Sequence, residues 1–194
     1  MSRITAFENV TLDGVMQAPA SKDEDRRGGF EHGGWAMPYA DPEVDAQRGS
    51  AANAAGPGAV LLGRVTYEDF ASVWPGQPDN PFGQFLNGAR KYVASRTLRE
   101  PLDWQNSELL EGNAIEGIRR LHEGDGPDII VLGSGEVVRQ LLAENLLDEL
   151  TLQVHPLVLG DGIRLFDGGE LTKLGLVDST TTPKGVVVAT YRPA

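Results

Sequence analysis

Three short segments carry the residue types that a phosphate-bearing ligand needs. The first, Gly63-Arg64-Val65-Thr66, follows the apolar run Ala59–Leu62. Glycine lets a ligand approach the backbone, Arg64 presents a fork to two phosphate oxygens, and Thr66 adds a hydroxyl. The second, Ser95-Arg96-Thr97, places two hydroxyls around a guanidinium directly after the strand-like segment Lys91–Ala94. Such a cluster suits a terminal phosphate. The third, Gly133-Ser134-Gly135-Glu136, follows Asp128–Leu132 and opens a stretch in which Val137, Val138, Leu141 and Leu142 recur at helical spacing. A glycine-containing turn between strand and helix is where a pyrophosphate meets backbone N–H groups and the positive end of a helix. Each segment alone also reads as an ordinary turn or cap. Three of them in one alternating chain point to a dinucleotide.

Other chemistries find little support. The chain has no cysteine, which excludes disulfides, thiolate metal sites and thiol nucleophiles. His32, His122 and His155 share no metal-ligand spacing, no Gly-x-Ser-x-Gly elbow occurs, and Asp23-Glu24-Asp25 reads as a solvated loop, so no metal site is expected. A net charge of −11 with 17 scattered Lys and Arg argues against nucleic acid. The apolar runs are far shorter than the roughly 20 residues of a membrane helix, and the N-terminal segment lacks the layout of a signal peptide. A cytoplasmic location is expected.

The elements that would position these segments can be read from periodicity. Arg3–Leu12 is rich in β-branched and aromatic residues and ends at the turn Asp13-Gly14, so it reads as a first strand. A Gly-, Pro- and charge-rich stretch from Gln17 to Tyr39 is long enough to be a lid or binding wall, and Trp35 and Tyr39 could flank a planar substrate there or pack beneath the loop. Asp41-Pro42-Glu43 looks like the start of a helix running to about Ala55. Strands at Ala59–Leu62, Lys91–Ala94 and Asp128–Leu132 then alternate with helices near Val65–Ala71, Gln84–Gly88, Ala114–Leu121 and Val137–Leu142. Glu149–Leu159, Leu171–Ser179 and Val186–Arg192 all read as strands, so a parallel sheet should end in an antiparallel edge. With 40% hydrophobic residues and no linker-like tract, one domain over residues 1–194 is expected.

In this order the chain resembles the dihydrofolate reductase-like superfamily. It is most similar to stand-alone proteins related to the reductase domain of the bifunctional riboflavin-biosynthesis deaminase/reductase. The segments that carry the likeness are Thr11-Leu12-Asp13-Gly14-Val15, Gly33-Gly34-Trp35, Leu61 to Glu68, Tyr92 to Leu98, Val131 to Gly135, and Leu147 through Gly162. The resemblance implies a three-layer α/β fold whose central, mainly parallel sheet ends in an antiparallel C-terminal edge and binds NADPH across the strand ends. It places Gly63 to Thr66 and Ser95 to Thr97 at the 2′-phosphate and pyrophosphate, Gly133 to Val138 at a second pyrophosphate wall, and Asn9 with Val10 beside the nicotinamide amide. The Ser-Gly-Glu-Ser and Asp-Asp-Pro segments of the riboflavin-pathway reductases are missing, so the substrate does not transfer.

The expected function is hydride transfer from NADPH to a small planar pterin-, pyrimidine- or carbonyl-type molecule. The alternative is an NADP(H)-binding sensor or partner subunit without turnover. Asp13, near the expected nicotinamide, is the first candidate proton donor, although it also suits a simple Asp-Gly turn, and Asp45 is the second, on the helix where Asp41, Glu43 and Asp45 all lie near the carboxylate position of dihydrofolate reductases. A homodimer is expected through Glu149–Leu159 and Val186–Arg192, taken as the sheet edge.

Overall fold

The computed structural model describes residues 1–41, 58–110 and 112–194. Its strands are β1 (Ile4–Thr11), β2 (Ala59–Gly63), β3 (Arg90–Ala94), β4 (Ser107–Leu109), β5 (Ile129–Leu132), β6 (Glu149–His155), β7 (Leu174–Thr181) and β8 (Val187–Pro193). Its α-helices are α1 (Arg64–Val73), α2 (Pro81–Gly88), α3 (Ala114–Glu123) and α4 (Gly135–Ala143). The strands form a single eight-stranded sheet in the order β4-β3-β2-β5-β1-β6-β8-β7. Every pairing from β4 to β6 is parallel, and the last two strands are antiparallel.

Strand alternation divides the core into two layers. Ala59 and Leu61 of β2 join Ile4, Ala6, Ile118 and Leu141 on the side of α3 and α4, whereas Val60 and Leu62 join Tyr67, Leu86 and Trp104 on the side of α1 and α2. The result is a three-layer α/β/α arrangement, with β2 covered on both faces as its unbroken apolar sequence requires.

The register around β1 creates the opening that matters for function. Pairing of β1 with β5 stops at Phe7↔Leu132, whereas pairing with β6 continues to Thr11↔His155. The chain leaves β5 at Gly133, whose N–H donates to the Phe7 carbonyl at 3.3 Å, and turns into α4. From Glu8 onward, one edge of β1 therefore borders that turn instead of a strand.

Several expectations change. The strand starting at Glu149 ends at His155, because Pro156 has no N–H for the ladder and the Leu157 N–H turns back onto the His155 carbonyl at 2.8 Å. Neither β6 nor β8 is an edge: β8 lies between β6 and β7, and β7 is the outer strand. The short strand β4 has too few residues for its periodicity to be read. Beyond Asp41, the helix expected to run to Ala55, with Glu43 and the candidate donor Asp45, lies outside the described residues.

Candidate functional site: a cleft across the strand ends

The carboxyl ends of β1, β2, β3 and β5 open into a cleft of about 980 Å³, within the size range of small-molecule and cofactor sites. Two of its walls are strand-to-helix junctions. At the first, β2 passes through Gly63 into α1, so that Arg64, Val65 and Thr66 form the first turn. At the second, β5 passes through Gly133 and Ser134 into α4, which starts with Gly135, Glu136 and Val137. All nine of these residues line the cleft.

Neither helix start is capped by a side chain. Ser134 occupies the cap position of α4, but its hydroxyl is used elsewhere. It accepts from the Gly63 N–H at 2.8 Å and donates to Thr66 Oγ1 at 2.9 Å, tying the two junctions together. Gly133 has φ +58, a conformation that glycine adopts without steric cost, and Ser134 follows it with φ 70. A Cβ at Gly63 would press on the Ser134 Oγ at 3.3 Å. The locked turns thus present the amino ends of two helices to one space, which suits an anion.

The third segment also reaches the cleft. Ser95, Arg96 and Thr97 lie on its wall after β3. The Ser95 hydroxyl accepts from the Thr97 and Leu98 N–H groups at 3.1 and 3.0 Å, so its part is to shape the turn that presents Arg96. Arg96 is exposed, and its charge helps hold the Glu136 carboxyl below its usual range, behind the stronger hydrogen bonds from Arg139 and Gln140. Arg64 is half-exposed and bridges to Glu68 at 2.8 Å one helical turn on.

At the β1 end the wall changes character. Glu8 and Asn9 both line the cleft, from opposite faces of the strand. Glu8 shares the inward phase of Ile4, Ala6 and Val10, is 2% exposed, and its Oε1 has no hydrogen-bond partner. Burial pushes its pKa up to about 8, although the charge of Arg139 pulls the other way. On the other face, Asn9 Oδ1 lies 3.0 Å from Nε2 of His155. The amide oxygen can only accept, so Nε2 donates and Nδ1, which has no partner, is the bare nitrogen. Burial lowers the His155 pKa to about 4, so the ring is neutral.

Five anticipated residues take other places. Asp13 does not line the cleft. Its carboxylate accepts from the Thr11 hydroxyl at 2.6 Å and from the Leu159 and Gly160 N–H groups at 3.2 and 2.8 Å, with the Thr11 bond chiefly holding its pKa down at about 2. An acid so firmly ionised fastens the loop after β6 to the end of β1 and has no proton to give near neutrality. Val10 and Val138 are buried in the core, 5% and 0% exposed, on inward-facing phases of β1 and α4. Trp35 donates to the Gln17 carbonyl at 2.7 Å and clusters with Val15, Ala18 and Phe30. Trp35 and Tyr39 pack edge-on against His155, and neither lines the cleft. Gly135 lines it but is also buried, and a Cβ there would overlap the Met16 sulfur and approach Leu165 at 3.1 Å, so its missing side chain serves packing.

Other groups were not anticipated. Glu24 and Asp25 turn toward the cleft instead of solvent, and Asp69 joins them from α1. Burial raises the pKa of both Glu24 and Asp69, and the charges of Asp69 and Asp25 add a minor contribution at Glu24. Phe70, Trp74 and Phe82 line the same cleft, with Trp74 edge-on to both phenylalanines. Glu8 carried a readable signal, since a carboxylate in the inward phase of a strand breaks the apolar pattern. His155 carried none, because its relation to Asn9 depends on the pairing of β1 with β6.

Residues 2–188 match the RibD C-terminal domain. The chain belongs to that family. Among curated members with sequence likeness, YyaP of Bacillus subtilis (strain 168), an uncharacterized protein, is 30% identical over 137 residues, covering 68% of this chain and 72% of its own. YwjB of the same organism, also uncharacterized, is 32% identical over 111 residues, covering 55% and 57%. A putative riboflavin biosynthesis protein from Shewanella sp. PV-4 has the same fold, with a TM-score of 0.72 at 21% identity over 99% of both chains. A pyrimidine reductase-like protein from Corynebacterium diphtheriae gives 0.66 at 13% identity, covering 100% of this chain and 92% of its own. The mainly parallel sheet with its antiparallel edge is thus the RibD C-terminal arrangement, and membership makes a reductase-like role the coarse functional class. Among the described residues, no helix is long and apolar enough to cross a membrane.

Proposed function

We propose that the cleft binds NADPH and that the protein is a reductase delivering hydride to a small planar acceptor. The observation that carries this reading is the convergence of two uncapped helix starts and the turn bearing Arg96 on one cleft that also reaches the open edge of β1. The donor set fits a dinucleotide. First-turn N–H groups of α1 and α4 would hold the pyrophosphate, Arg64 and Arg96 the 2′-phosphate, and Asn9 the nicotinamide amide. When bound, NADPH supplies the hydride. The protein's own residues orient it and keep water from the reacting atoms.

For the acceptor, the acidic and aromatic stretch made by Glu24, Asp69, Phe70 and Trp74 suits a flat ring that offers N–H groups. A cytoplasmic setting belongs to the same proposal and accords with a chain free of cysteine. We further propose a homodimer, now through β7. Seven of its eight residues are exposed, Leu176 and Val177 among them, and it is the outer strand of the sheet. Sedimentation at micromolar concentration should give twice 20.9 kDa, and a monomer mass would refute it.

Fluorescence titration tests the cofactor assignment. Trp74 lines the cleft while Trp35 and Trp104 are buried, so NADPH should quench Trp74, and Trp74→Phe should lose most of the signal. NADPH should bind at least about tenfold more tightly than NADH. Equal affinities would remove the 2′-phosphate assignment, and no binding of either would remove the cofactor reading. Tight binding without NADPH oxidation against quinones, pterins and pyrimidines would favour a sensor.

A further inference from the structure

The residues that hold a dinucleotide do not by themselves complete a reduction. Adding hydride to a C=N, C=C or C=O bond leaves an anion that must take up a proton, and the one sequence-suggested acid among the described residues is not free to give it. Asp13 is ionised and committed to the loop after β6, and Asp45 lies outside the described residues.

Resting on the reductase reading above, we propose that Glu8 is the proton-donating residue of this cleft. Three features of the molecule support it. Glu8 lines the cleft and precedes Asn9 on β1, just where the strand has lost β5 as a neighbour. Its side chain is buried, and one carboxyl oxygen has no hydrogen-bond partner. An uncompensated carboxylate in such a place is costly, whereas a neutral carboxylic acid with a proton to share is tolerated. A core position in the middle of a strand is otherwise filled by an apolar residue, as Ile4, Ala6 and Val10 show on the same face.

The charges around Glu8 fit this role. From α4 it feels Arg139, whose guanidinium donates to Glu136 Oε2 at 2.6 Å and to the Arg164 and Leu165 carbonyls at 3.1 and 2.8 Å. Arg139 is thus already paired and softens the cost of ionising Glu8 without abolishing it. From β6 the register partner is apolar Leu152, and the loops contribute Met16 and Leu165 to the same cluster. His155 and Asn9 belong to the opposite face of the strand. Burial therefore leaves Glu8 protonated up to about pH 8.

The step balances. Hydride brings one hydrogen and two electrons to one atom of the acceptor's double bond. The Glu8 O–H bond breaks, its proton joins the neighbouring atom, and the electron pair stays on the carboxylate, which regains a proton from water. The oxidised nicotinamide is cationic, so ionised Glu8 is favoured beside NADP⁺ and neutral Glu8 beside NADPH.

That difference can be measured without knowing the acceptor. Calorimetric titration of the whole protein in two buffers of different ionisation heat gives the protons released on binding each dinucleotide. Any contribution of the 2′-phosphate is common to both forms and cancels in their difference. Near neutral pH, NADP⁺ should release up to about one proton more than NADPH, and Glu8→Gln should abolish the excess. In the wild type alone the excess should fade above about pH 8, where Glu8 is already ionised, which keeps the test open even if the variant folds poorly. Equal release by the two forms, or an excess surviving in Glu8→Gln, would overturn the proposal while leaving the cofactor reading intact. Failure of both dinucleotides to bind would overturn both.

Discussion

The two ends of the cleft are built on different principles. At the helix end the chemistry is local. Gly63 to Thr66 and Gly133 to Val137 are each one continuous segment, and each opens a helix whose first N–H groups lack a side-chain cap. At the β1 end the chemistry comes from burial: Glu8 in the cleft wall and His155 behind Asn9 are buried titratable groups, and each has an oxygen or nitrogen without a partner. The first end should bind anions at any ordinary pH, and the second should respond to protons. Substitutions at one end should therefore move affinity, and at the other, pH dependence.

The largest effect belongs to the β1 end. Glu8 has its folded pKa raised from 4.5 to about 8, so the stability it contributes is complete below 4.5 and is lost as pH rises through about 8. His155 has its folded pKa lowered from 6.5 to about 4, so its contribution is complete above 6.5 and is lost as pH falls through about 4. At roughly 1.4 kcal/mol per pKa unit, the Glu8 slope sums to several kcal/mol. Urea unfolding across this range should show Glu8→Gln flattening the alkaline decline and His155→Gln the acid one. Slopes that neither variant alters would mean that burial does not govern this end.

Next in size is the loss of phosphate contacts. Arg64→Ala with Arg96→Ala should weaken NADPH about 100-fold, since two charge-assisted contacts are removed at partly exposed positions, and should leave NADH nearly unchanged. Stability should move by less than about 0.5 kcal/mol, as for other exposed substitutions. A matching loss for NADH would make the arginines general attractors instead of readers of the extra phosphate.

A smaller effect is expected at Gly135, and mainly on stability. Gly135→Val has to displace Met16 and Leu165, costing about 2 kcal/mol as overpacking does, so its thermal midpoint should fall. An unchanged midpoint with lost NADPH binding would instead make Gly135 a contact residue of the ligand. The smallest effect is Ser134→Ala, which unties the Gly63 N–H and Thr66 at about 1 kcal/mol and should weaken NADPH by severalfold. Unaltered affinity would mean that the two turns hold their positions without the hydroxyl.

The same contrast explains how much the sequence revealed. Strand and helix spacing placed β2 with α1 and β5 with α4 close to where they lie, because each pair is continuous in sequence and marked by glycine. Residues 9, 63–66, 95–97 and 133–137 all reach the cleft. The side chains of Val10 and Val138 turn into the core, and the motifs bound the segment but not the phase of strand or helix that turns inward. Of the two roles open to Asp13, the structural one holds, and its partners Leu159 and Gly160 could not be read locally because they come from a loop far along the chain. Trp35 and Tyr39 were drawn away by His155, whose position depends on strand pairing. The edge was assigned to β6 and β8 because a strand's place in the sheet order is not written in its own composition.

The central claim, that one dinucleotide spans both ends of this cleft, is tested most directly by a crystal structure of the protein with NADPH. The pyrophosphate should lie against the first turns of α1 and α4, the 2′-phosphate within hydrogen-bonding reach of Arg64 and Arg96, and the nicotinamide beside Asn9 next to Glu8. A dinucleotide bound outside the cleft, or bound in reverse with its adenosine toward Glu8 and Asn9, would contradict it.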